Sequence, residues 1–561
     1  ILMKLQNITM CQVSAAETAG SQPQSSAPVA RSHFGTFRGS WMTSRKGRTF
    51  QAYRGIRYAE PPVGELRFQP PRQIERYEKE VDATSDGPAC PQPTFNNYPV
   101  DEDCLRVNVY TPDNQRKDLP VLLFIHAGGF YSVSGRSDVA GPQHLLDRDL
   151  VLVTINYRLG SLGFLSTGDA YAPGNNGYKD QVAALHWLQR NIAAFGGDPH
   201  QVTISGYSAG SFSVMLHTIS PMSSGLFHRA IAMSGSPISQ VVIPKHQKYL
   251  AERQARLLNC PSDSSKAIID CLKTKSSKEI GDSLDRMFDF GYDPTLLWTP
   301  IEEEDFGQER FLAEQPLKTL CSGGQSVPYI ISQTQDEFFW KAFSVLRNAT
   351  LFTEMKNNWY RIAPISFLLS EDTNTQTDRL KQAYLGNREL ANDTATADGL
   401  GKLYSDALIG FGVHRLANLM CRRSSMPVYF YEFGYIGNSS HYVDPVTRKP
   451  TGAAHHDDLI YLFNVSATFP SIPADGSLDA QMVDKMTAIF YNFIKFGDPN
   501  PHGAGTPELS NLRWPTMVPE RRSYLRIDKD FSVHENLFED RFKVWEDLFP
   551  QDYEKCRLQK S

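Results

Sequence analysis

Six short apolar runs constrain the fold of this 561-residue chain more than any other feature. They are residues 121–125, 150–155, 202–205, 230–233, 327–331 and 428–433. Runs of this length without polar alternation are typical of strands buried on both faces, as in parallel sheets. Helical patterns lie between the runs, as in residues 180–195, where Gly196 and Gly197 then end the pattern. The sequence therefore predicts an α/β fold around one largely parallel sheet.

Composition and charge narrow the functional classes. Hydrophobic residues make up 41% of the chain and aromatic residues 11%, which suffices for a large core. The net charge of −5, without a basic segment, argues against a nucleic-acid partner. No apolar run approaches the roughly 18 residues that a membrane helix needs, so no membrane span is predicted.

We interpret the chain as one large folded domain, residues 34–550, between two tails. Residues 1–33 are polar and rich in Ser, Ala and Gln, which favours a flexible N-terminal tail. Residues 551–561 form the C-terminal tail.

Cysteines and sequons favour the secretory pathway over the cytosol, so we predict a secreted or extracellular protein. Of eight cysteines, two pairs have the spacing of short loops, Cys90 with Cys104 and Cys260 with Cys271. Neither pair has the spacing of a zinc site. The candidate glycosylation sites are Asn7, Asn348, Asn392, Asn438 and Asn464.

One serine lies between two glycines in ISGYSAGS, residues 204–211. The residues before it are strand-like, and those after it, SFSVMLHTI, are compatible with a helix. A G-x-S-x-G motif in this context is typical of a nucleophile elbow. The turn would lift the Ser208 hydroxyl clear of the sheet, and the helix N-terminus would favour negative charge. The alternative is a Gly/Ser-rich loop without a chemical role.

A second glycine turn follows the strand predicted at residues 121–125. His126-Ala127-Gly128-Gly129 resembles the H-G-G-G motif of lipases and esterases. Acyl transfer needs backbone N–H donors aimed at the developing oxyanion. Gly128 and Gly129 are candidate donors, with the Ala209 N–H as a third. Taken alone this segment could be a plain glycine turn, but its pairing with the elbow favours a donor role.

A serine nucleophile needs a base, and the base needs a carboxylate to fix its tautomer. The histidine pair in GAAHHDDLIYLF is the most suggestive context, and it leaves His455 and His456 as alternatives. In this fold the acid lies between serine and histidine in chain order. Glu337 follows closely after a predicted strand and qualifies, with Asp336 as its neighbour and competitor.

The chain resembles the type-B carboxylesterases, the group that includes cholinesterases and juvenile hormone esterases. The resemblance runs from about residue 34 to 546 and rests on long motifs, among them YRGIRYAEPPVGELRFQPP, DEDCLRVNVYTP and GNNGYKDQVAALHWLQRNIAAFGGDP. It implies an α/β-hydrolase fold, with a mostly parallel twisted sheet flanked by helices in one catalytic domain.

The resemblance also implies roles for individual residues. Ser208 would be the nucleophile, Glu337 the acid, and His455 the base, because His455-His456-Asp457-Asp458 fits the family's H-x-x-D/E pattern. Gly128, Gly129 and Ala209 would be the oxyanion donors. Ser234 resembles the family's buried serine near the acid. No metal or cofactor is implied.

The same resemblance matches Cys90–Cys104 and Cys260–Cys271 to two family disulfides. The family's third bridge has no clear counterpart. The unassigned cysteines are Cys11, Cys321, Cys421 and Cys556.

Three residues depart from the family pattern. Ala127 replaces the first glycine of the oxyanion motif, and its methyl group is expected to narrow the acyl site. Phe338 follows the acid where glycine is usual, and at a positive φ it would cost about 1 kcal/mol or more. Tyr207, which we assign to the substrate pocket, stands where cholinesterases have Glu and juvenile hormone esterases typically Gln.

Choline esters are rejected as substrates on two grounds. Tyr207 removes a negative charge that would attract a cation. The 90–104 loop, CPQPTFNNYPVDEDC, is short and has no tryptophan to stack on a quaternary ammonium.

The leading hypothesis is a serine carboxylesterase acting on uncharged, lipophilic small-molecule esters. A hormone esterase of the juvenile hormone type is the first alternative, because Arg67-Phe68, Asp180-Gln181 and Gly452-x-x-His455 fit its pattern although Tyr207 does not. A non-catalytic adhesion or binding member of the family is the second alternative.

Overall fold

The computed structural model describes residues 26–93, 99–113, 116–322, 324–370, 372–386, 388–444 and 446–550. The strands in these ranges are β1 (Val29–Ser32), β2 (Gly35–Arg38), β3 (Ser40–Thr43), β4 (Thr49–Arg57), β5 (Val81–Asp82), β6 (Arg106–Pro112), β7 (Leu119–Ile125), β8 (Val151–Ile155), β9 (Gly197–Tyr207), β10 (Arg229–Met233), β11 (Tyr329–Thr334), β12 (Val428–Phe433), β13 (Ser523–Ile527) and β14 (Phe531–Glu535).

The helices lie between the strands along the chain, and the last one follows β14. They are α1 (Gly160–Phe164), α2 (Asn176–Asn191), α3 (Ala209–His217), α4 (Lys248–Leu257), α5 (Ser265–Thr274), α6 (Ser277–Asp282), α7 (Pro316–Cys321), α8 (Trp340–Leu346), α9 (Ala349–Asn357), α10 (Trp359–Phe367), α11 (Thr373–Leu385), α12 (Thr394–Ser405), α13 (Phe411–Arg423), α14 (Leu478–Phe496) and α15 (Glu539–Leu548).

An 11-stranded sheet organises the molecule, in the order β14-β13-β12-β11-β10-β9-β7-β8-β6-β4-β3. The strands from β13 to β8 in this order run parallel. The strands at the two edges are antiparallel. A separate small sheet has the order β1-β2-β5. This mixed sheet, flanked by helices in one domain, has the predicted α/β architecture.

The core lies on both faces of the sheet. In β7, Val121, Leu123 and Ile125 pack into one hydrophobic cluster. Leu122 and Phe124 pack into a second cluster on the opposite face. Successive side chains of a strand point to opposite faces, so an unbroken apolar run is what a strand covered by helices on both sides requires.

All six predicted strands are present and belong to the parallel part of the sheet. The predicted helix at residues 180–195 is α2, continued by a 3₁₀ turn, Ile192–Phe195. Gly196 ends it with a φ of 84°, a left-handed conformation that glycine adopts without strain. Both predictions are confirmed.

The predicted boundary of the N-terminal tail is wrong. Val29–Ser32, placed in the 1–33 tail by composition, pairs with Gly35–Arg38 as an antiparallel hairpin. Residues 1–25 and 551–561 lie outside the described residues. Within the described ranges, no helix has the length and apolar character required to cross a bilayer.

The two predicted disulfides, Cys90–Cys104 and Cys260–Cys271, are present. Cys321, which the sequence left unassigned, is also disulfide-bonded. Cys421 is a free, half-buried thiol.

The candidate glycosylation sites differ in exposure. Asn348, Asn392 and Asn438 are exposed. Asn464 is buried, and its side-chain carbonyl accepts a hydrogen bond from Ser471 Oγ at 3.0 Å. Asn464 is therefore less accessible than the three exposed sites, and glycosylation at all four stays a prediction. Asn7 lies outside the described residues.

Candidate active site

Ser208 lies at a sharp turn between a strand and a helix. β9 ends at Tyr207 and α3 begins at Ala209, with Ser208 between them at φ 55° and ψ −116°. A non-glycine residue in this conformation carries strain of about 1–3 kcal/mol. The Ser208 N–H donates to Met233 O at 2.8 Å, which ties the turn to the neighbouring strand β10.

The flanking glycines are required by close backbone contacts. A Cβ atom on Gly206 would lie 2.2 Å from Gly210 O, and one on Gly210 would lie 2.1 Å from Ile125 O. Both distances are far below van der Waals contact. The G-x-S-x-G spacing is therefore a steric condition for this turn.

Glu337 and His455 form a buried hydrogen-bonded pair. The Glu337 side chain bonds through Oε2 to the ring atom His455 Nδ1. The backbone N–H of His455 also donates to the backbone carbonyl of Glu337, at 3.0 Å. Glu337 Oε1 accepts from Thr334 N and from Ser234 Oγ, both at 2.7 Å. Both residues are 1% exposed. The carboxylate is thus fixed by the end of β11 and by the residue after β10.

Asp336, the competing acid, has a different position. Its Oδ2 atom accepts from the Ala453 N–H at 3.1 Å, and burial raises the pKa of its carboxyl to about 6. A Cβ on Gly452 would lie 2.4 Å from the same Oδ2 atom, so this glycine admits the contact. Asp336 therefore supports the segment that precedes His455, while Glu337 contacts the imidazole itself.

The other ring nitrogen of His455 is unoccupied. His455 Nε2 is buried and has no hydrogen-bond partner among the described residues. His455 and Ser208 both line the same cavity. The structure thus brings the predicted nucleophile and base to one site.

Tyr207 does not line that cavity, so its assignment to the substrate pocket is wrong. It is completely buried, and its hydroxyl accepts a hydrogen bond from the His456 N–H at 2.9 Å. Its ring centroid lies 5.0 Å from that of His455. Burial raises the pKa of the Tyr207 hydroxyl well above its usual value. Tyr207 connects the end of β9 to the backbone of the histidine pair.

A second carboxyl, that of Asp458, lies behind the pair. Burial and the neighbouring Glu337 carboxylate raise its pKa to about 8. Its Oδ2 atom accepts from Tyr431 OH at 3.1 Å. Both effects favour the protonated, uncharged form of Asp458, which limits the negative charge beside Glu337.

Gly128, Gly129 and Ala209 all line the cavity. Gly128 has φ 108° and Gly129 φ 59°, and a Cβ on Gly128 would lie 2.0 Å from Ser132 O. In the described part of the chain, the N–H groups of these three residues donate to no other backbone group. They remain available as donors to a bound molecule.

The expected effect of Ala127 is wrong, and the condition for strain at Phe338 is not met. Ala127 is 4% exposed and packs in the core, away from the cavity, so its methyl group does not narrow it. Phe338 is not among the described residues with positive φ, so its backbone carries none of the strain that a positive φ would bring. Instead its ring lies 4.4 Å from the His455 ring and forms part of the cavity wall.

The space between the lining residues, including the part that is open to solvent, amounts to about 540 Å³. The polar and backbone groups around it are Gly128, Gly129, Ser208, Ala209, His455 and His456, with Thr295. Its apolar wall is formed by Tyr131, Phe212, Leu296, Phe338, Leu408 and Ile409, with Tyr442. Among the described lining residues there is no Asp, Glu, Lys or Arg, so the wall carries no formal charge.

Most of the apolar wall was not predicted from the sequence. Leu408 and Ile409 belong to a single π-helical turn, Asp406–Gly410, between α12 and α13. Such turns are frequent at functional sites, but no residue pattern marked this one. No group of three or more metal-ligating side chains occurs within the described ranges.

Comparison with known proteins assigns this architecture and site to a class. The carboxylesterase family model matches residues 26–545. The chain belongs to this family and is a carboxylic ester hydrolase.

Individual relatives include hormone esterases and general esterases of insects. The chain is 34% identical to juvenile hormone esterase of Tribolium castaneum, over 90% of this chain and 88% of that protein. It is 38% identical to esterase FE4 of Myzus persicae, over 85% of this chain and 86% of that protein. The crystal structure of juvenile hormone esterase from Manduca sexta, with OTFP covalently attached, superimposes with a TM-score of 0.82 at 27% identity, covering 93% of this chain and 99% of that one.

Proposed function

We propose that this chain is a serine carboxylesterase that hydrolyses uncharged esters through an acyl-enzyme intermediate, with Ser208, His455 and Glu337 as the catalytic triad. The observation that carries the proposal is the buried His455–Glu337 hydrogen bond beside a cavity that Ser208 also lines. This is the arrangement that general-base activation of a hydroxyl requires.

In the first half of the reaction, Ser208 Oγ attacks the ester carbonyl carbon and His455 Nε2 takes its proton. The resulting imidazolium is stabilised by the Glu337 carboxylate at Nδ1. The negative charge on the carbonyl oxygen is stabilised by the N–H groups of Gly128, Gly129 and Ala209. Collapse of the intermediate breaks the ester C–O bond, and Nε2 returns its proton to the leaving alcohol.

In the second half, water replaces the alcohol. His455 Nε2 takes a proton from the water as its oxygen attacks the acyl carbon. The second tetrahedral intermediate expels Ser208 Oγ, which recovers its proton from the imidazolium. The products are the carboxylic acid and the free enzyme, so the chemistry balances without a cofactor.

The cavity wall supports uncharged, lipophilic esters as the substrate class. Its side chains are mostly aromatic or aliphatic, and no ionisable carboxylate or ammonium group lines it in the described structure. Such a wall gives a cationic alcohol no counter-charge. Part of the 90–104 loop, residues 94–98, lies outside the described residues, so the argument rests on the wall alone.

A juvenile hormone esterase-type activity is the second candidate. Two of the relatives carry that name. Tyr207 no longer argues against it, because this residue does not reach the cavity. Conversely, Arg67 and Asp180 form buried ion pairs with Glu102 and Arg158, away from the cavity, so their fit to the hormone-esterase pattern says little about substrate.

A secreted location completes the proposal. It is supported by the bonded state of Cys90, Cys104, Cys260, Cys271 and Cys321, since disulfides persist mainly in oxidising compartments.

The test is hydrolysis of p-nitrophenyl acetate and butyrate by wild type, Ser208→Ala and a control, Ser205→Ala. Ser205 is buried on the same strand, outside the cavity, and donates only to Leu123 O at 3.3 Å. We expect Ser208→Ala to lose about 10⁶-fold in kcat and Ser205→Ala to keep most activity. Equal rates for Ser208→Ala and wild type would refute the triad.

Two further measurements separate the alternatives. Competition between a terpenoid methyl ester and short aryl esters distinguishes a hormone esterase from a general one. Failure of the folded wild-type protein to react with an organophosphate probe would favour the non-catalytic adhesion or binding alternative.

A further inference from the structure

A buried charged network lies beside the catalytic cavity but takes no part in the proposed chemistry. Lys341 Nζ bonds to Asp293 Oδ1, and the two side chains are 7% and 2% exposed. Ser366 Oγ donates to Asp293 Oδ2 at 2.7 Å, and Tyr404 OH donates to the same atom at 3.2 Å. The Asp293 carboxylate is therefore held by α8, α10 and α12 together.

This network reaches the cavity through Thr295. Lys341 Nζ donates to Thr295 Oγ1 at 2.8 Å, and Thr295 Oγ1 donates to Asp293 Oδ1 at 3.1 Å. The Thr295 carbonyl in turn accepts a hydrogen bond from Tyr131 OH at 3.2 Å. Thr295, Leu296 and Tyr131 all line the cavity. One face of the substrate wall is thus fixed by a lysine that does not itself line the cavity.

The same lysine lies close in sequence to the proposed acid. Glu337 and Phe338 come just before α8, which begins at Trp340. The Trp340 ring stacks on the cavity residue Tyr442 at 4.1 Å. The Lys341–Asp293 pair therefore fixes the cavity wall relative to the segment that carries Glu337.

A gain in stability does not by itself explain why a buried ion pair is present here. Taking two charges out of water costs several kcal/mol per ion, and apolar residues of similar volume often replace a buried ion pair without loss. What a buried pair with further hydrogen bonds does provide is a fixed geometry. Here that geometry belongs to the wall formed by Tyr131, Thr295 and Leu296.

We propose that Lys341 is a positioning residue for substrate selection, which acts through Asp293 and Thr295 to fix the width of the cavity at the Tyr131–Leu296 wall. The proposal rests on the serine esterase function proposed above, and names a determinant of the ester size that the site accepts. Loss of the pair frees the wall, so the cavity loses its discrimination between short and long ester groups.

The chain offers a matched control in Lys179–Glu303. This ion pair is equally buried, at 2% and 0% exposure, with an Nζ–Oε2 distance of 2.7 Å. Glu303 also accepts further hydrogen bonds, from Asn175 Nδ2 at 3.0 Å and from the Phe311 N–H at 2.8 Å. None of these residues lines the cavity.

The experiment measures kcat/KM for p-nitrophenyl acetate, butyrate and hexanoate, and for a matching series of alkyl acetates. The proteins are wild type, Lys341→Met, the double variant Lys341→Met/Asp293→Asn, and Lys179→Met. The double variant leaves no unpaired charge, and it decides the question if Lys341→Met alone does not fold. Melting temperatures are recorded for all four proteins.

We expect the long-to-short ratio of kcat/KM to change about tenfold in Lys341→Met and in the double variant, since one misfitted methylene is worth about that much. Lys179→Met should melt at a lower temperature with an unchanged ratio. If folded Lys341 variants lower the rates for all esters by one common factor, the network is merely structural and the proposal is refuted. Failure of the triad proposal has a different signature, namely Ser208→Ala hydrolysing these esters at the wild-type rate.

Discussion

Ser234→Ala removes one of the hydrogen bonds that hold the carboxylate of the His455–Glu337 pair. The Ser234 hydroxyl donates to Glu337 Oε1 at 2.7 Å and is completely buried. Ser234 has φ 53°, and because alanine keeps the Cβ atom, the substitution adds no backbone strain of its own. The variant therefore isolates the hydrogen bond from the turn that presents it.

The expected loss in kcat follows from the hydrogen bonds that Glu337 keeps in Ser234→Ala. Glu337 keeps the Thr334 N–H and the His455 imidazole as partners. A hydrogen bond to a charged group contributes about 1.5–3 kcal/mol. If about 1.4 kcal/mol of this is lost where Glu337 stabilises the imidazolium in the transition state, kcat falls about tenfold. A loss of 10⁴-fold would be too large, because the proposed triad itself is intact.

The assay is steady-state hydrolysis of p-nitrophenyl butyrate, with Ser236→Ala as the matched control. Ser236 is also buried, but its hydroxyl donates to Ile238 O at 3.2 Å and does not contact Glu337. We expect Ser234→Ala to lower kcat with little change in KM, and Ser236→Ala to resemble wild type. Equal kcat values for the two variants, at equal thermal stability, would refute the role of Ser234.

Three further predictions concern the oxyanion turn, the second carboxyl and the cavity wall. Gly128→Ala should lower kcat about 100-fold, because the Cβ of the alanine would lie 2.0 Å from Ser132 O and displace the N–H group. Labelling by an organophosphate should slow as well. An unchanged kcat would contradict the assignment of Gly128 as an oxyanion donor. The pKa of Asp458 is raised to about 8, so the folded state binds the proton more tightly than the unfolded state, whose pKa is about 3.9. The stability that this proton contributes is complete below pH 4 and is lost as the pH rises towards 8. In urea unfolding, the free energy of unfolding of Asp458→Asn should therefore rise relative to that of wild type between pH 5 and pH 8. Parallel pH profiles for the two proteins would count against the prediction. Phe338→Ala should lower the free energy of unfolding in urea by about 3 kcal/mol, since the ring is buried against His455; a change under about 0.5 kcal/mol would contradict a stabilising role for this packing.

The sequence was most informative where backbone geometry and residue type are tied together. Apolar runs such as residues 121–125, short and followed by glycine or polar residues, favour strands covered on both faces, so the parallel centre of the sheet was predictable. The edge strands β3 and β14 went unpredicted, because their residues are half-buried or exposed and do not form an apolar run. The turn at Ser208 was predictable because Gly206 and Gly210 are sterically required there.

The direction of a side chain and the φ angle of a single residue could not be predicted from residue type in this way. Tyr207 adjoins Ser208 in sequence, yet its hydroxyl reaches the His456 backbone instead of the cavity. Strain at Phe338 depended on a positive φ, a dihedral angle that residue identity does not reveal. The wall residues Thr295 and Leu408 are far apart in sequence, so only the fold brings them together.

The hydrogen bond between Tyr207 and His456 has a consequence for how this scaffold diversifies. It joins the strand that ends at Ser208 to the loop that carries His455, and Glu337 is held by the two neighbouring strands through Ser234 and Thr334. The residues of the proposed triad thus form one hydrogen-bonded unit, whereas the wall residues Leu296, Leu408 and Ile409 lie on other segments of the chain. Substitutions at such wall positions can change which esters bind while the hydrogen bonds that hold Ser208, His455 and Glu337 are kept.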